Sequence, residues 1–535
     1  MNLNFKKVLL VVLDGFGIAS NSPGNAVTAA GMETLEELIK NYPAVTLQAA
    51  GANVGLPWGE PGNSEVGHTS LGAGRIVLQD LPRINASLAS GDFFKREAFL
   101  KAIRHVKQHN SALHLIGMLG EGGVHASQHH LHALLSLAAA EKLPRVFIHA
   151  ITDGRDTPPA SAKEFLFDLE RKMVELRIGK IATLTGRFYA MDRARHWDLT
   201  ALAYKAMVWG EGERAESPVQ ALEDYYQQGI YDETIPPTVI EHNGEVVGTI
   251  GMDDAVIVTN FRPDRALQLT LALLSPEQAG LEKNRPAPKN IFIATMTQYD
   301  ENLPVAVAFP KIAVKHTLGE VLSAHHKKQL RISETEKFPH VTYFFNNGRR
   351  QPFEGEVWEQ VKSHQQYQER YQNVPQMSAP ELTQKLLSKL PEPIDFFVVN
   401  YANSDMVAHT GNFSASVKAL QTIDKCLKLL SEYTLGHEEL VMLITSDHGN
   451  IENVKESATG RTTKSHTANP VPFVIVGQGL KLTQQRKRGY LYLATQVPEG
   501  LLPDVAPTIL DIFGIEKPSE MIGVSLLPKL LGQIK

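Results

Sequence analysis

Cysteine is nearly missing from this chain: Cys426 is the only one in 535 residues. No intrachain disulfide can form, and no cysteine-rich zinc site can be built. An excess of positive charge is missing as well. The formal net charge is −5 at pH 7, which argues against a nucleic-acid partner, because phosphate backbones are held on a basic face. The short basic runs at 325–331 (HHKKQLR) and 486–488 (RKR) read as solvated surface. No apolar run approaches the ~20 residues that span a bilayer, so no membrane partner is expected. The run VLLVVL at 8–13 is too short for a secretory core, stops at Asp14 and lacks a small-residue cleavage site. It reads as a first strand, and the cytoplasm is the default location.

What the chain does have is a series of apolar strands that end in chemistry. Its length suggests at least two domains, and 43% hydrophobic with 21% charged residues is an ordinary globular balance. The organising stretch is VMLITSDHGN at 441–450. Its apolar and β-branched start reads as a buried strand of a parallel sheet, and it stops at Asp447 and His448. Open α/β sheets place ligands beyond the carboxyl ends of their strands, and these two residue types are donors for a divalent metal.

Other strand ends repeat the pattern. The run at 8–13 delivers Asp14, followed by a glycine turn, and FFVVN at 396–400 leads into YANSDMVAHTGN. There Asp405 and His409 are four apart, on one face of a helical turn. His466 arrives just before another strand, and Val417, Leu420, Ile423, Leu427 and Leu430 mark an amphipathic helix. The glycine-rich stretch 51–75, read as a loop, contains GNSEVGH with Ser64. Lys337 precedes what reads as an aromatic strand.

Between about 78 and 310 a second strand–helix alternation suggests its own sheet. Here the strand ends carry arginine: TDGRDTPP (Arg155, Asp156), TGRFYAMDR (Arg187, Arg193) and NFRPDRA (Arg262, Arg265). Arginines suit bidentate capture of phosphate and carboxylate, so an anionic small molecule is the expected ligand. In the histidine-rich run after His125, only His125, beside glycines, looks like a site residue; His129, His130 and His132 read as a helix face. In the other half Asp14, Ser64, Asp405, His409, Asp447, His448 and His466 supply donors enough for two metal ions. Such a pair, about 3.5–4 Å apart, can clamp a transferring phosphoryl group.

In these motifs the chain resembles the cofactor-independent phosphoglycerate mutases of the alkaline phosphatase superfamily. The resemblance runs through DGFG at Asp14, PGNSEVGH around Ser64, GGVH at His125, DGRDTPP, NFRPDRA, HVT at His340, DMV-HTGN, SDHGN and VAPTILDIFG from Val505. It implies two α/β domains: an alkaline-phosphatase-like metal domain from both chain ends (1–78 and 311–535) with an inserted phosphotransferase domain (79–310). It implies interconversion of 3-phosphoglycerate and 2-phosphoglycerate through a phosphoserine at Ser64, without 2,3-bisphosphoglycerate. One manganese would be held by Asp405, His409 and His466, the other by Asp14, Ser64, Asp447 and His448; Co²⁺, Mg²⁺ or Zn²⁺ also suit these donors. His125, Arg155, Asp156, Arg187, Arg193, Arg262, Arg265 and Lys337 would bind phosphoglycerate. Asp156 is the expected proton carrier, with one domain closing over the other against water, and a monomer is the expected state. Ala408, Ser404, Glu121, Thr69 and Ser70 depart from the family pattern without removing a ligand, and 484–500, which matches none of it, is expected to be a surface elaboration. A phosphatase or phosphopentomutase would share the metal half, but not the arginine motifs. A non-catalytic sensor would be expected to have lost a ligand or Ser64.

Overall fold

The computed structural model describes residues 5–281, 285, 287–363, 371–456 and 459–534. The chain divides into two compact units, Met1–Gln79 with Ala313–Lys535, and Asp80–Ile312. Each is built on its own mixed sheet flanked by helices, so the architecture is α/β in both.

In the first unit eight strands lie in the order Glu356–Val361, Gln329–Glu334, Phe396–Tyr401, Lys7–Leu13, Leu440–Thr445, Val471–Val476, Ala44–Gln48, Gly500–Leu501. Only Val471–Val476 runs against the rest. The three middle parallel strands are apolar on both faces and almost wholly buried, as a sheet covered by helices on each side requires. Their register aligns their ends. Val12 pairs with Asn400 on one side and with Thr445 on the other. The three strands therefore end level, and the residues after them leave the sheet at a common edge. The helix Phe413–Leu435 begins at Asn412, whose side chain accepts from the Ala415 N–H, and buries Leu420, Ile423, Leu427 and Leu430.

Three expectations are corrected. GNSEVGH is not loop: Ser64–Ala73 is a helix, with the Asn63 side chain accepting from the Val66 N–H at its start. Its glycines serve close approach rather than turning. A Cβ on Gly67 would lie 2.4 Å from the Asp447 carbonyl oxygen. The aromatic strand after Lys337 is instead a π-helical turn, His340–Phe344, with Val341 and Phe345 buried four residues apart. Nor is 484–500 mere surface elaboration. Tyr490 and Leu493 join the core, the Glu36 carboxylate accepts from the Gly489 and Tyr490 N–H groups (both 2.8 Å), and the Tyr490 hydroxyl accepts from Ala19 N (2.9 Å) and donates to the Gly17 carbonyl (3.0 Å).

In the second unit the order is Ala306–Phe309, Phe292–Thr297, Ala255–Val258, Leu113–Met118, Val146–Thr152, Lys180–Gly186, Thr238–His242, Glu213–Ala215, with Glu245–Val246 paired to Thr238–His242. The first six are mutually parallel. Leu115, Ile148 and Ile257 pack on one face and Ile116, Ile151 and Val258 on the other, giving two cores. His129, His130 and His132 lie on the helix Gln128–Ala140. Among the described residues no helix is long and apolar enough to cross a membrane.

Among the described residues, two histidines of this unit are buried without a carboxylate partner. His149 stands between His114 (3.0 Å) and the Thr183 hydroxyl (3.0 Å), and His130 donates to Asn85 Oδ1 (2.8 Å). Burial first, then a neighbouring histidine, lowers both, His130 to about 4. The unfolded chain takes up these protons near pH 6.5 and the folded chain does not, so stability falls as pH drops from 6.5 towards 4. For His130 the loss approaches about 3 kcal/mol at full protonation. Melting curves of the wild-type chain and H130L across that range should converge at low pH; parallel curves would show that His130 carries none of the dependence.

Candidate functional site

The level ends of the middle strands place Asp14, Asp405 and Asp447 together, and all three are buried. Gly15, in the left-handed region at φ +69°, lets the chain turn where a Cβ would come 2.9 Å from the Asp405 Cβ. Ser64, at the start of its helix, places Oγ 3.2 Å from Asp14 Oδ1 and 3.0 Å from His448 Nε2. The Lys337 ammonium donates to Asp14 Oδ1 (2.6 Å), Ser64 Oγ (2.7 Å) and Asp405 Oδ2 (2.7 Å). Ligand atoms of Asp405, His448 and His466 lie within 4.8 Å of one another, as do those of Asp14, Asp447 and His448. His409 Nε2 is 3.2 Å from Asp405 Oδ1 and 3.0 Å from His466 Nε2. All seven residues singled out as metal donors thus meet, together with Lys337.

Their protonation can be worked out from partners that only accept. His409 Nδ1 faces the Lys464 carbonyl (2.8 Å), His466 Nδ1 the Gly62 carbonyl (2.8 Å) and His448 Nδ1 the Gly449 carbonyl (3.2 Å). Each Nδ1 therefore carries a hydrogen, which turns the three Nε2 atoms toward the carboxylates. Imidazole Nε2 atoms converging on carboxylates are what a divalent ion takes once it replaces any proton held there, and a backbone carbonyl behind each imidazole is the usual way of fixing a metal ligand. The donor set fits a metal.

Electrostatics point the same way. Burial works against the charges of Asp405 and Asp447, yet Lys337 and His409 hold the first, and His448 and His68 the second, well below the usual carboxylate range. Burial also opposes the charge on Lys337, but Asp14, Asp405 and Asp447 outweigh it and raise the group above its ordinary value. His448 is lifted to about 9 by Asp447, Asp14 and Asp405 against the same penalty. In this cluster a proton on Nε2 competes with a metal ion for one lone pair.

The second unit holds the other predicted residues. Arg187, buried, donates to Asp153 and to Asp156 Oδ2 (2.6 Å). His125 Nε2 is 3.9 Å from Asp156 Oδ2 and its Nδ1 is 3.7 Å from Asp264 Oδ1. Asp264 in turn binds Arg193 (2.8 Å) and Arg262 (3.2 Å). Arg265 donates to the Met191 carbonyl (3.0 Å), and after burial the guanidinium of Arg187 and then that of Arg193 lower its pKa. Arg155 leans away, onto Glu233 at 3.3 Å. Burial, then Arg187, pushes His125 down to about 4, so it is neutral at physiological pH. Its Nδ1 is buried with no hydrogen-bond partner among the described residues, which leaves polar capacity for a ligand.

Comparison with known proteins respects the same division of the chain. A family model described as the BPG-independent PGAM N-terminus matches residues 84–301. Over the whole length, a 2,3-bisphosphoglycerate-independent phosphoglycerate mutase of Clostridium acetobutylicum is 45% identical over 523 residues, 97% of this chain and 99% of its own. One of Acetivibrio thermocellus is 43% identical over 526 residues, 98% and 99% of the two chains. The chain belongs to the 2,3-bisphosphoglycerate-independent phosphoglycerate mutases. A solved phosphoglycerate mutase of Leishmania mexicana, crystallised at low cobalt concentration, matches with a TM-score of 0.63 and 28% identity over 98% of each chain.

Sequence reasoning missed several residues that shape the site of this mutase. Asn450 Nδ2 donates to Asp405 Oδ1 (2.8 Å), and it stands inside the SDHGN motif itself. Glu452 accepts from Gly17 N (3.0 Å), Asn450 N (2.9 Å) and Asn469 Nδ2 (2.9 Å), which ties three loops together. Ser404, one of the departures from the family pattern, donates to the Asp14 carbonyl (2.5 Å). Asp153 and Asp264 sat in DGRDTPP and NFRPDRA, where the arginines drew attention instead.

If a metal ion displaces the proton from His448, loading should release protons. Calorimetric titration of the chelator-stripped protein with Mn²⁺ at pH 8, in buffers of different ionisation enthalpy, should report about one proton released per chain. Heats independent of the buffer would show that no such competition exists.

Proposed function

We propose that this chain interconverts 3-phosphoglycerate and 2-phosphoglycerate through a phosphoserine at Ser64, without 2,3-bisphosphoglycerate. The observation that carries the proposal is the position of the Ser64 hydroxyl, 2.7 Å from the Lys337 ammonium and 3.0 Å from His448 Nε2, inside a buried cluster of carboxylates. Family membership over nearly the full chain supports the same reaction.

In this mechanism Ser64 Oγ gives up its proton and attacks the phosphorus, the bond to the glycerate oxygen breaks, and that freed oxygen takes up one proton to become a hydroxyl, so no net proton is gained or lost. The second half reverses these events at the neighbouring hydroxyl of the same glycerate. Lys337 balances negative charge on the serine and phosphoryl oxygens. Asp405, His409 and His466 would hold one divalent ion and Asp14, Ser64, Asp447 and His448 the other. Two such ions, when bound, supply positive charge that acidifies the serine hydroxyl and neutralises the phosphoryl group. We assign manganese from the family resemblance; imidazole and carboxylate donors also accept Co²⁺, Mg²⁺ or Zn²⁺.

His125, Arg155, Arg187, Arg193, Arg262 and Arg265 are assigned to binding the phosphoglycerate, with Asp156 carrying the proton between hydroxyls. Support for that assignment lies in the shared network of Arg187, Asp156, His125 and Asp264. A monomer in the cytoplasm is the working state proposed for the chain.

The test couples 3-phosphoglycerate to enolase with Mn²⁺ and no added 2,3-bisphosphoglycerate. Wild-type chain should turn over, and the chelated chain should not. S64A should lose activity by about 10⁴-fold or more, as nucleophile removal generally does, with an unchanged melting temperature. Near-normal turnover by S64A would overturn the phosphoserine route. Phosphate release without 2-phosphoglycerate would make the chain a phosphatase.

A further inference from the structure

Asp14 and Asp447 approach the same imidazole, His448, from different strands, and something must hold them there. Neither is braced by a cation alone. Asn400, on the strand between Gln329–Glu334 and Lys7–Leu13, donates from Nδ2 to Asp14 Oδ2 at 2.6 Å, and the same nitrogen lies 3.0 Å from His68 Nε2. Asp14 can only accept, so the amide must present its NH₂ here, and His68 Nε2 must then be the unprotonated nitrogen. The hydrogen on His68 is therefore on Nδ1, which faces the Ser64 carbonyl (2.9 Å) and Asp447 Oδ2 (3.2 Å), both of them acceptors. The nitrogens along this path have one consistent assignment: Nδ1 of His68 donates to the Ser64 carbonyl and stands 3.2 Å from Asp447 Oδ2. Asn400, His68, Asp14 and Asp447 are all fully buried.

We propose, resting on the two-metal reading of the site, that Asn400 and His68 are positioning residues that hold Asp14, Asp447 and the start of the Ser64 helix in register for one of the two ions. The path is electrically neutral. It fixes the two carboxylates without cancelling their charge, so their full negative charge stays available to a cation. It is also selective. Asp405 receives nothing from Asn400 or His68 and is braced separately by Asn450 at 2.8 Å. Lys337 bridges Asp14 and Asp405 and so serves both ion sites, but the uncharged supports are separate, and one can be loosened without the other.

The experiment titrates chelator-stripped wild type, N400L and H68F with Mn²⁺ by calorimetry, with near-ultraviolet circular dichroism and melting of the stripped proteins alongside. Wild type should take two ions. In N400L and in H68F one ion should bind about 10–100-fold more weakly, the usual cost of losing a partner behind a ligand, while the other keeps its affinity within about twofold. Equal binding of both ions by either variant and wild type would overturn the assignment. So would equal weakening of both ions, because that is what general loss of structure produces. A wild-type chain that takes fewer than two ions would overturn the two-metal reading itself, and this inference with it.

Discussion

Three carboxylates, Asp14, Asp405 and Asp447, are buried around one ammonium, that of Lys337, which touches the first two and acts on the third through its charge. Like charges in a low-dielectric interior repel strongly, and each has lost its water. Much of the first unit can be understood as what makes that crowding tolerable. The sheet brings the three together through register, since Val12, Asn400 and Thr445 stand side by side. Hydrogen bonds from Asn400, Asn450 and the Gly15 N–H satisfy oxygens that water would otherwise hydrate. What hydrogen bonds cannot supply is charge, and one lysine and the His448 imidazolium against three acids leave a deficit that divalent ions fit.

The second unit solves a related problem with the signs exchanged. Its arginines are not left free. Arg187 is pinned by Asp153 and Asp156, and Asp264 sits between Arg193 and Arg262. These guanidinium groups are oriented by acids in advance, so the side-chain entropy that the proposed anion binding would cost has been lost beforehand. The half-exposed Arg155, Arg193 and Arg262 keep donors available, whereas Arg187 is buried and acts from behind.

How far this could be seen in the sequence depends on the kind of signal. Buried parallel strands are continuous apolar runs, and the residues at their ends are adjacent in sequence to those runs, so Asp14, Asp405, Asp447 and His448 were legible. Their convergence was not, because strand order and register depend on pairings between segments hundreds of residues apart. Composition misled twice. Glycine in GNSEVGH suggested a loop, but Gly67 and Gly72 are small because Asp447 and Phe345 press against that helix. In HVTYFF, β-branched and aromatic residues suggested a strand, but such preference is mainly a fit to half-buried surface, and a π-helical turn buries Val341 and Phe345 equally well. Tyr490 and Leu493 gave no warning, because four residues of helix carry no period.

The length of the legible motifs has its cause in the histidines. Each Nε2 can offer its lone pair only if Nδ1 has somewhere to send its hydrogen, and in all three cases the acceptor is a main-chain carbonyl: Lys464 for His409, Gly62 for His466, Gly449 for His448. A carbonyl leaves no trace in side-chain identity, so these partners are invisible as residues. They constrain the sequence through the backbone path that carries them. Gly62 needs to pass so close that a Cβ there would lie 2.8 Å from the His448 Cβ. The stretch that delivers Ser64 is therefore the same stretch that sets the tautomer of His466, so its glycine, its cap at Asn63 and Ser64 belong together.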